Sequence, residues 1–120
     1  MVGFEVWLPT KIIFGLGQIS RVGDLTSKYG KNAMLVTGKH HARRTGKLDR
    51  VVACLKEAGL ETIVFDQAEP NPLSTTVDAG AELAKNTECE VVVGFGGGSA
   101  MDTAKAVAIA STNEGGIWRY

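Results

Sequence analysis

Short apolar runs alternate along this chain with longer stretches whose apolar positions recur every three or four residues. Ala33–Thr37 reads AMLVT, Thr62–Phe65 reads TIVF and Val91–Phe95 reads VVVGF. Runs this short, bounded by polar residues, have the length of buried parallel strands. The intervening stretches carry helical spacing. Gln18–Lys28 sets Ile19, Val22 and Leu25 on one face and stops near Gly30. Lys47–Ala58 does the same with Leu48, Val51, Val52 and Leu55, and Gly59 stands where a C-cap glycine belongs. Ser74 is expected to cap a helix reaching about Lys85, and Ala100–Ala110 forms the last helix. Glu5–Leu8 and Lys11–Phe14 read as short extended pieces around Pro9, either an extended segment or an edge hairpin. Gln67–Leu73, with Pro70 and Pro72, reads as a loop.

Strands separated by helices imply crossover connections and a parallel sheet. The predicted fold is therefore α/β, a Rossmann-like parallel sheet with helices on both faces, plus the short N-terminal segment. Val91–Phe95 is expected at its centre. The loops at the C-terminal ends of such strands share one rim, and ligands bind at that rim. Thr37–Lys39, Asp66–Asn71 and Gly96–Ser99 all follow strands on that side.

Composition narrows the class. With 120 residues the chain has the length of one domain. Lys plus Arg number 13 and Asp plus Glu number 13, so no net charge draws the chain to nucleic acid or to anionic membranes. No apolar run approaches the ~20 residues of a membrane span. The N-terminus lacks the basic-then-apolar layout of a secretion signal. Cys54 and Cys89 have no metal-ligand spacing and read as reduced, partly buried thiols. These features fit a cytoplasmic protein.

The chemistry concentrates in Glu90–Ala106, EVVVGFGGGSAMDTAKA. An apolar strand runs into Gly94, Gly96, Gly97 and Gly98, then Ser99 and a helix with Asp102 and Lys105 one turn apart. The first N–H groups of a helix have no intrahelical partner, and its dipole puts positive potential there. Glycines remove the Cβ atoms that would keep a pyrophosphate away. A plain reading competes: the glycines make a tight turn, and Ser99 with Asp102 forms a capping box. Three consecutive glycines favour the phosphate reading, because each costs backbone entropy on folding. A triphosphate-binding loop is excluded, since no Gly-Lys-Ser or Gly-Lys-Thr occurs. The dinucleotide fingerprint G-x-G-x-x-G begins at Gly94 and Gly96 but meets Ser99 at its third glycine. The site is thus dinucleotide-type, of a less common kind.

Gly96–Ala108, GGGSAMDTAKAVA, resembles the GGGSxxDxxK signature of the iron-containing (group III) alcohol dehydrogenases. PTKIIFGLGQI (Pro9–Ile19) is similar to that family's opening strand and helix, LVTGK (Leu35–Lys39) to its first βα turn, and EPNPL (Glu69–Leu73) to its Asn-Pro loop. Glycerol dehydrogenases fit less well, with Lys where Ser99 stands. Dehydroquinate synthases share the glycines without this Asp-x-x-Lys pair.

The resemblance implies hydride transfer between a nicotinamide dinucleotide and a small alcohol or aldehyde. By matching position, Gly96, Gly97, Gly98 and Ser99 would form the pyrophosphate turn. Asp102 would lie beside the nicotinamide end, Asn71 would approach from its own loop, and Thr37, Gly38 and Lys39 would meet the adenosine ribose. Many relatives carry Asp where this chain has Gly38. Losing that carboxylate, with Lys39, Arg43 and Arg44 nearby, predicts NADP over NAD. The plain alternative is a turn glycine beside a solvated basic face. The family's iron or other divalent metal is held in a helical domain that these 120 residues do not include. His40 and His41 are expected to be exposed polar residues, not ligands. The chain is therefore expected to be a truncated dinucleotide-binding domain without turnover, prone to self-association. The alternative is a free-standing, non-catalytic nucleotide-binding or interaction module.

Overall fold

The computed structural model describes residues 2–120. After a 3-10 turn at Gln18–Arg21 come α1 (Val22–Thr26), β1 (Asn32–Gly38), α2 (His41–Arg44), α3 (Lys47–Glu57), β2 (Glu61–Ala68), α4 (Ser74–Asn86), β3 (Val91–Phe95) and α5 (Gly98–Thr112). The three strands form one parallel sheet in the order β2-β1-β3.

β1 is the central strand, and β3, expected at the centre, is an edge. Ala33–Thr37 are all buried, as two-sided coverage requires, whereas Val91, Val92 and Val93 are only half-buried. An unbroken apolar run marks a strand covered on both faces; it does not say how many neighbours the strand pairs with.

Alternation along β1 divides the core in two. Met34 and Val36 pack with Phe65, with Val77 and Ala81 of α4, and with Ala104 and Val107 of α5. Ala33 and Leu35 pack on the other face with Leu48, Val51 and Leu55 of α3. Ile19 and Val22 flank that second cluster. Helices thus cover both faces, as the alternating pattern requires. The first helix is shorter than its periodicity predicts, because its opening turn is 3-10. α1 lies so close on α3 that a Cβ at Gly23 would run into the carbonyl of Cys54.

Three further expectations are corrected. Residues 2–14 belong to no strand, so the N-terminal hairpin is absent. Phe4, Trp7, Ile12 and Phe14 all stand exposed, and an isolated two-stranded ribbon with nothing to pack on is marginal in water. β2 runs on to Ala68, because its pairing with β1 resumes at Gly38 and Ala68 after an irregularity; Gln67 and Ala68 are strand, not loop. Leu73, not Ser74, holds the cap position of α4, and no side chain caps it.

At the opposite end of the sheet, the Glu90 carboxylate ties β3 to the start of β1. Its Oε2 accepts the Lys31 N–H at 2.6 Å and the Asn32 N–H at 3.1 Å. These two backbone donors hold its pKa below the usual 4.5. A depressed folded-state pKa means the contacts add stability above the unfolded value and lose it as pH falls through the folded one. Glu90→Gln should therefore flatten the acid limb. Between about pH 5 and 3, urea midpoints of the unmodified chain should fall more steeply than those of the variant. Parallel curves would show that the clamp adds nothing.

Candidate functional site

The strand order sets the site's position. β2 and β3 lie on opposite sides of β1, so the chain crosses over in two directions and opens a crevice at the strands' C-terminal ends. A cleft of about 610 Å³ lies there, within the range of small-molecule sites. Thr37 and Gly38 line it from β1, Ala68, Glu69 and Pro70 from the end of β2, and Gly94–Ala100 from the β3–α5 turn. Thr45 and Lys47, from the α2–α3 corner, close the remaining side.

The β3–α5 turn is open where a phosphate would need it open. Gly97 holds the cap position of α5 in extended conformation (φ −81°, ψ −166°), and no side chain caps the helix. Its carbonyl accepts the Met101 N–H at 3.1 Å, which starts the helical ladder. The N–H groups before Met101 have no partner in that ladder. Ser99 is thus the second helical residue, and its carbonyl accepts the Thr103 hydroxyl at 2.7 Å. The Ser99–Asp102 capping box does not form. A Cβ built on Gly97 or Gly98 meets nothing within 4 Å, so the room beside these residues is free for a ligand. Gly94 differs: its Cβ would lie 3.0 Å from that of Ala104, so that glycine serves the packing of α5.

Thr37 is a second, independent observation at this cleft. It is 1% exposed and lines the cleft, yet its Oγ1 has no hydrogen-bond partner among the described residues. A buried hydroxyl left unpaired costs about 1–3 kcal/mol. A bound polar group at this rim would satisfy it. Thr62 Oγ1 is likewise unpaired, at the start of β2 and away from this cleft.

Of the residues expected here, Thr37, Gly38, Gly96, Gly97, Gly98 and Ser99 come together. Lys39, Asn71 and Asp102 are exposed and lie outside the lining. Asp102 sits 3.7 Å from Lys105 in a surface pair with both side chains largely in water, an arrangement worth a few tenths of a kcal/mol. Asn71 holds a left-handed backbone (φ 54°) between two prolines. Arg43 is not a free cation. Its Nε and Nη2 both donate to Oδ2 of Asp66, at 3.1 and 2.5 Å, and Gln67 Nε2 donates to Oδ1 at 2.9 Å. The Arg43 hydrogen bonds draw the Asp66 pKa below its usual value.

Lys47, Thr45 and Glu69 line the cleft although the sequence pattern singles out none of them. The signal was present: a helix that follows a parallel strand starts at the same rim as the strand's C-terminus, and Lys47 was the predicted start of α3. Glu69 was within the Asn-Pro segment, where Asn71 alone was singled out.

No cluster of three or more His, Cys, Asp or Glu side chains capable of holding a metal occurs among the described residues. The His41 side chain lies outside them. Nor is any helix among them long and apolar enough to cross a membrane.

A parallel sheet with a crevice at its switch point and a glycine turn opening a helix at the same rim define a Rossmann-like α/β unit. The chain belongs to the iron-containing alcohol dehydrogenase family, whose sequence pattern matches residues 9–120. It is 36% identical over 118 residues to NADH-dependent butanol dehydrogenase A of Clostridium acetobutylicum, covering 98% of this chain and 30% of that protein. The archaeal halo-thermophilic Red Sea brine pool alcohol dehydrogenase ADH/D1 superposes with a TM-score of 0.92 at 40% identity, over 98% of this chain and 31% of that one. Sulfoacetaldehyde reductase from Bifidobacterium kashiwanohense, solved in complex with NAD+, superposes with a TM-score of 0.86 at 33% identity, over 100% of this chain and 31% of that one. The chain spans about a third of the length of these relatives.

Proposed function

We propose that residues 1–120 are the N-terminal dinucleotide-binding domain of an iron-type alcohol dehydrogenase. In this reading the cleft holds the adenosine and pyrophosphate portion of a nicotinamide dinucleotide. Gly97, Gly98 and Ser99 cradle the pyrophosphate at the positive end of α5. Thr37 and Gly38 meet the adenosine ribose, whose hydroxyls give the unpaired Thr37 hydroxyl a partner. When bound, the cofactor supplies the hydride chemistry, and the protein's contribution is position and electrostatics. Activation of an alcohol or aldehyde needs groups that these residues do not provide. The observation that carries the reading is the open space beside Gly97 and Gly98 at a helix N-terminus.

Gly38 favours NADP. Its φ lies outside the left-handed region, and an added Cβ would meet only the Ala68 carbonyl, at an ordinary 3.4 Å. The backbone therefore does not demand glycine there. What glycine changes is chemistry: no carboxylate stands at the ribose to repel a 2′-phosphate. The Clostridium relative is named for NADH and the Bifidobacterium structure holds NAD+, so a preference for NADP would set this chain apart from both.

Calorimetric titration with NADP and with NAD tests both points. Saturable binding is expected, tighter for NADP, and addition of butanol with a divalent metal should produce no cofactor reduction. Absence of binding by either dinucleotide would overturn the site. Tighter NAD binding would overturn the NADP preference alone.

A further inference from the structure

We propose that Lys47 reads the cofactor's 2′-phosphate, the role that the sequence pattern assigns to Lys39, Arg43 and Arg44. The inference deepens the NADP reading and rests on it.

Four observations converge on Lys47. It lines the cleft together with Gly38 and Thr45, whereas Lys39, Arg43 and Arg44 do not. Its side chain is exposed and makes no ion pair among the described residues, while Arg43 is committed to Asp66. It is the first residue of α3, directly after Gly46, whose left-handed backbone (φ 68°) turns the chain from α2 into that helix. The helix's positive end therefore adds to the ammonium's own charge. Finally, the unpaired, buried Thr37 hydroxyl on the same cleft marks this side of the crevice as built for a polar ligand.

The opposing charge is accounted for. Glu69 is the one carboxylate among the lining residues. Its Oε1 accepts the Thr76 hydroxyl at 3.4 Å, which engages it with the first turn of α4. Asp49 also belongs to the first turn of α3 but lies outside the lining. A phosphomonoester on the ribose would thus find Lys47 and the room left by Gly38 on one side. NAD, which has a hydroxyl there, would gain little from the ammonium.

The test is titration of the unmodified chain, Lys47→Ala and Lys47→Arg with NADP and with NAD, and with 2′,5′-ADP against 5′-AMP as cofactor pieces. Lys47 is exposed, so the variants should fold, and circular dichroism checks this. Lys47→Ala should weaken NADP and 2′,5′-ADP binding roughly tenfold, the loss of one charge-assisted contact partly screened by water. NAD and 5′-AMP should change less than about twofold. Lys47→Arg should restore most of the loss. Added salt should weaken NADP binding to the unmodified chain more than to Lys47→Ala. Equal weakening of NADP and NAD, or no change in either, would overturn the role of Lys47 even if NADP binds more tightly overall. Tighter NAD binding by the unmodified chain, with Lys47→Ala still weakening NADP selectively, would keep Lys47 and overturn the preference.

Discussion

Gly98→Ala should weaken dinucleotide binding by roughly tenfold to ten-thousandfold and leave the fold intact. The affinity loss follows from one or two charge-assisted N–H contacts at ~1.5–3 kcal/mol each. A methyl on the first residue of α5 would stand between those donors and the pyrophosphate. The fold should not suffer, because that methyl meets no atom of the protein within 4 Å. Alanine is also the better helix former, by up to ~1 kcal/mol. The melting temperature should therefore hold or rise while affinity falls. This opposite movement separates a ligand-bearing glycine from a structural one. Gly94→Ala and Gly96→Ala are the controls: a Cβ at either would sit 3.0 Å from an alanine Cβ of α5, and Gly96 also holds φ 147°. Both should lose stability first. Calorimetry and thermal melts on the three variants decide the matter. Unchanged affinity in a folded Gly98→Ala protein would remove the glycine turn from the site.

The largest effect on stability is expected at Leu35. It is fully buried on the central strand and packs with Leu48, Val51 and Leu55. Leu35→Ala removes apolar contact and leaves a cavity between two rigid layers, at a cost of about 2–5 kcal/mol. Total stability for a chain of this length is ~5–15 kcal/mol, so this is a large share. The melting temperature should drop by roughly 10–20 °C. Urea midpoints measure the same loss. A cost below about 1 kcal/mol would mean that α3 collapses onto β1 and that the interior is looser than its burial indicates.

These two expectations trace what was legible along the chain. Leu35 lies in a short apolar run with the length of a buried strand, and Gly98 lies at a strand-to-helix junction. Local pattern carries that kind of information. It could not rank the strands across the sheet, because pairing order depends on crossovers and not on the composition of a strand. Hence VVVGF was expected at the centre and lies at an edge. It could not partner the charges either. Arg43 and Asp66 stand 23 residues apart and meet only once β1 and β2 align. Asp102 and Lys105, one turn apart in the sequence, are the local exception and pair at 3.7 Å in water. Lys47 was read as the start of a helix, and its second role appears only when the rim is assembled.

The position of β3 has a consequence of its own. Among the described residues its far side has no neighbouring strand, so half of its ladder groups face outward along Val91–Phe95. That stretch carries no lysine and no proline, the residues that ordinarily blunt such a seam. As concentration rises, the seam is where a further strand would zip on. Self-adhesion of residues 1–120 along that flank would reach Gly94 and Phe95, which line the cleft.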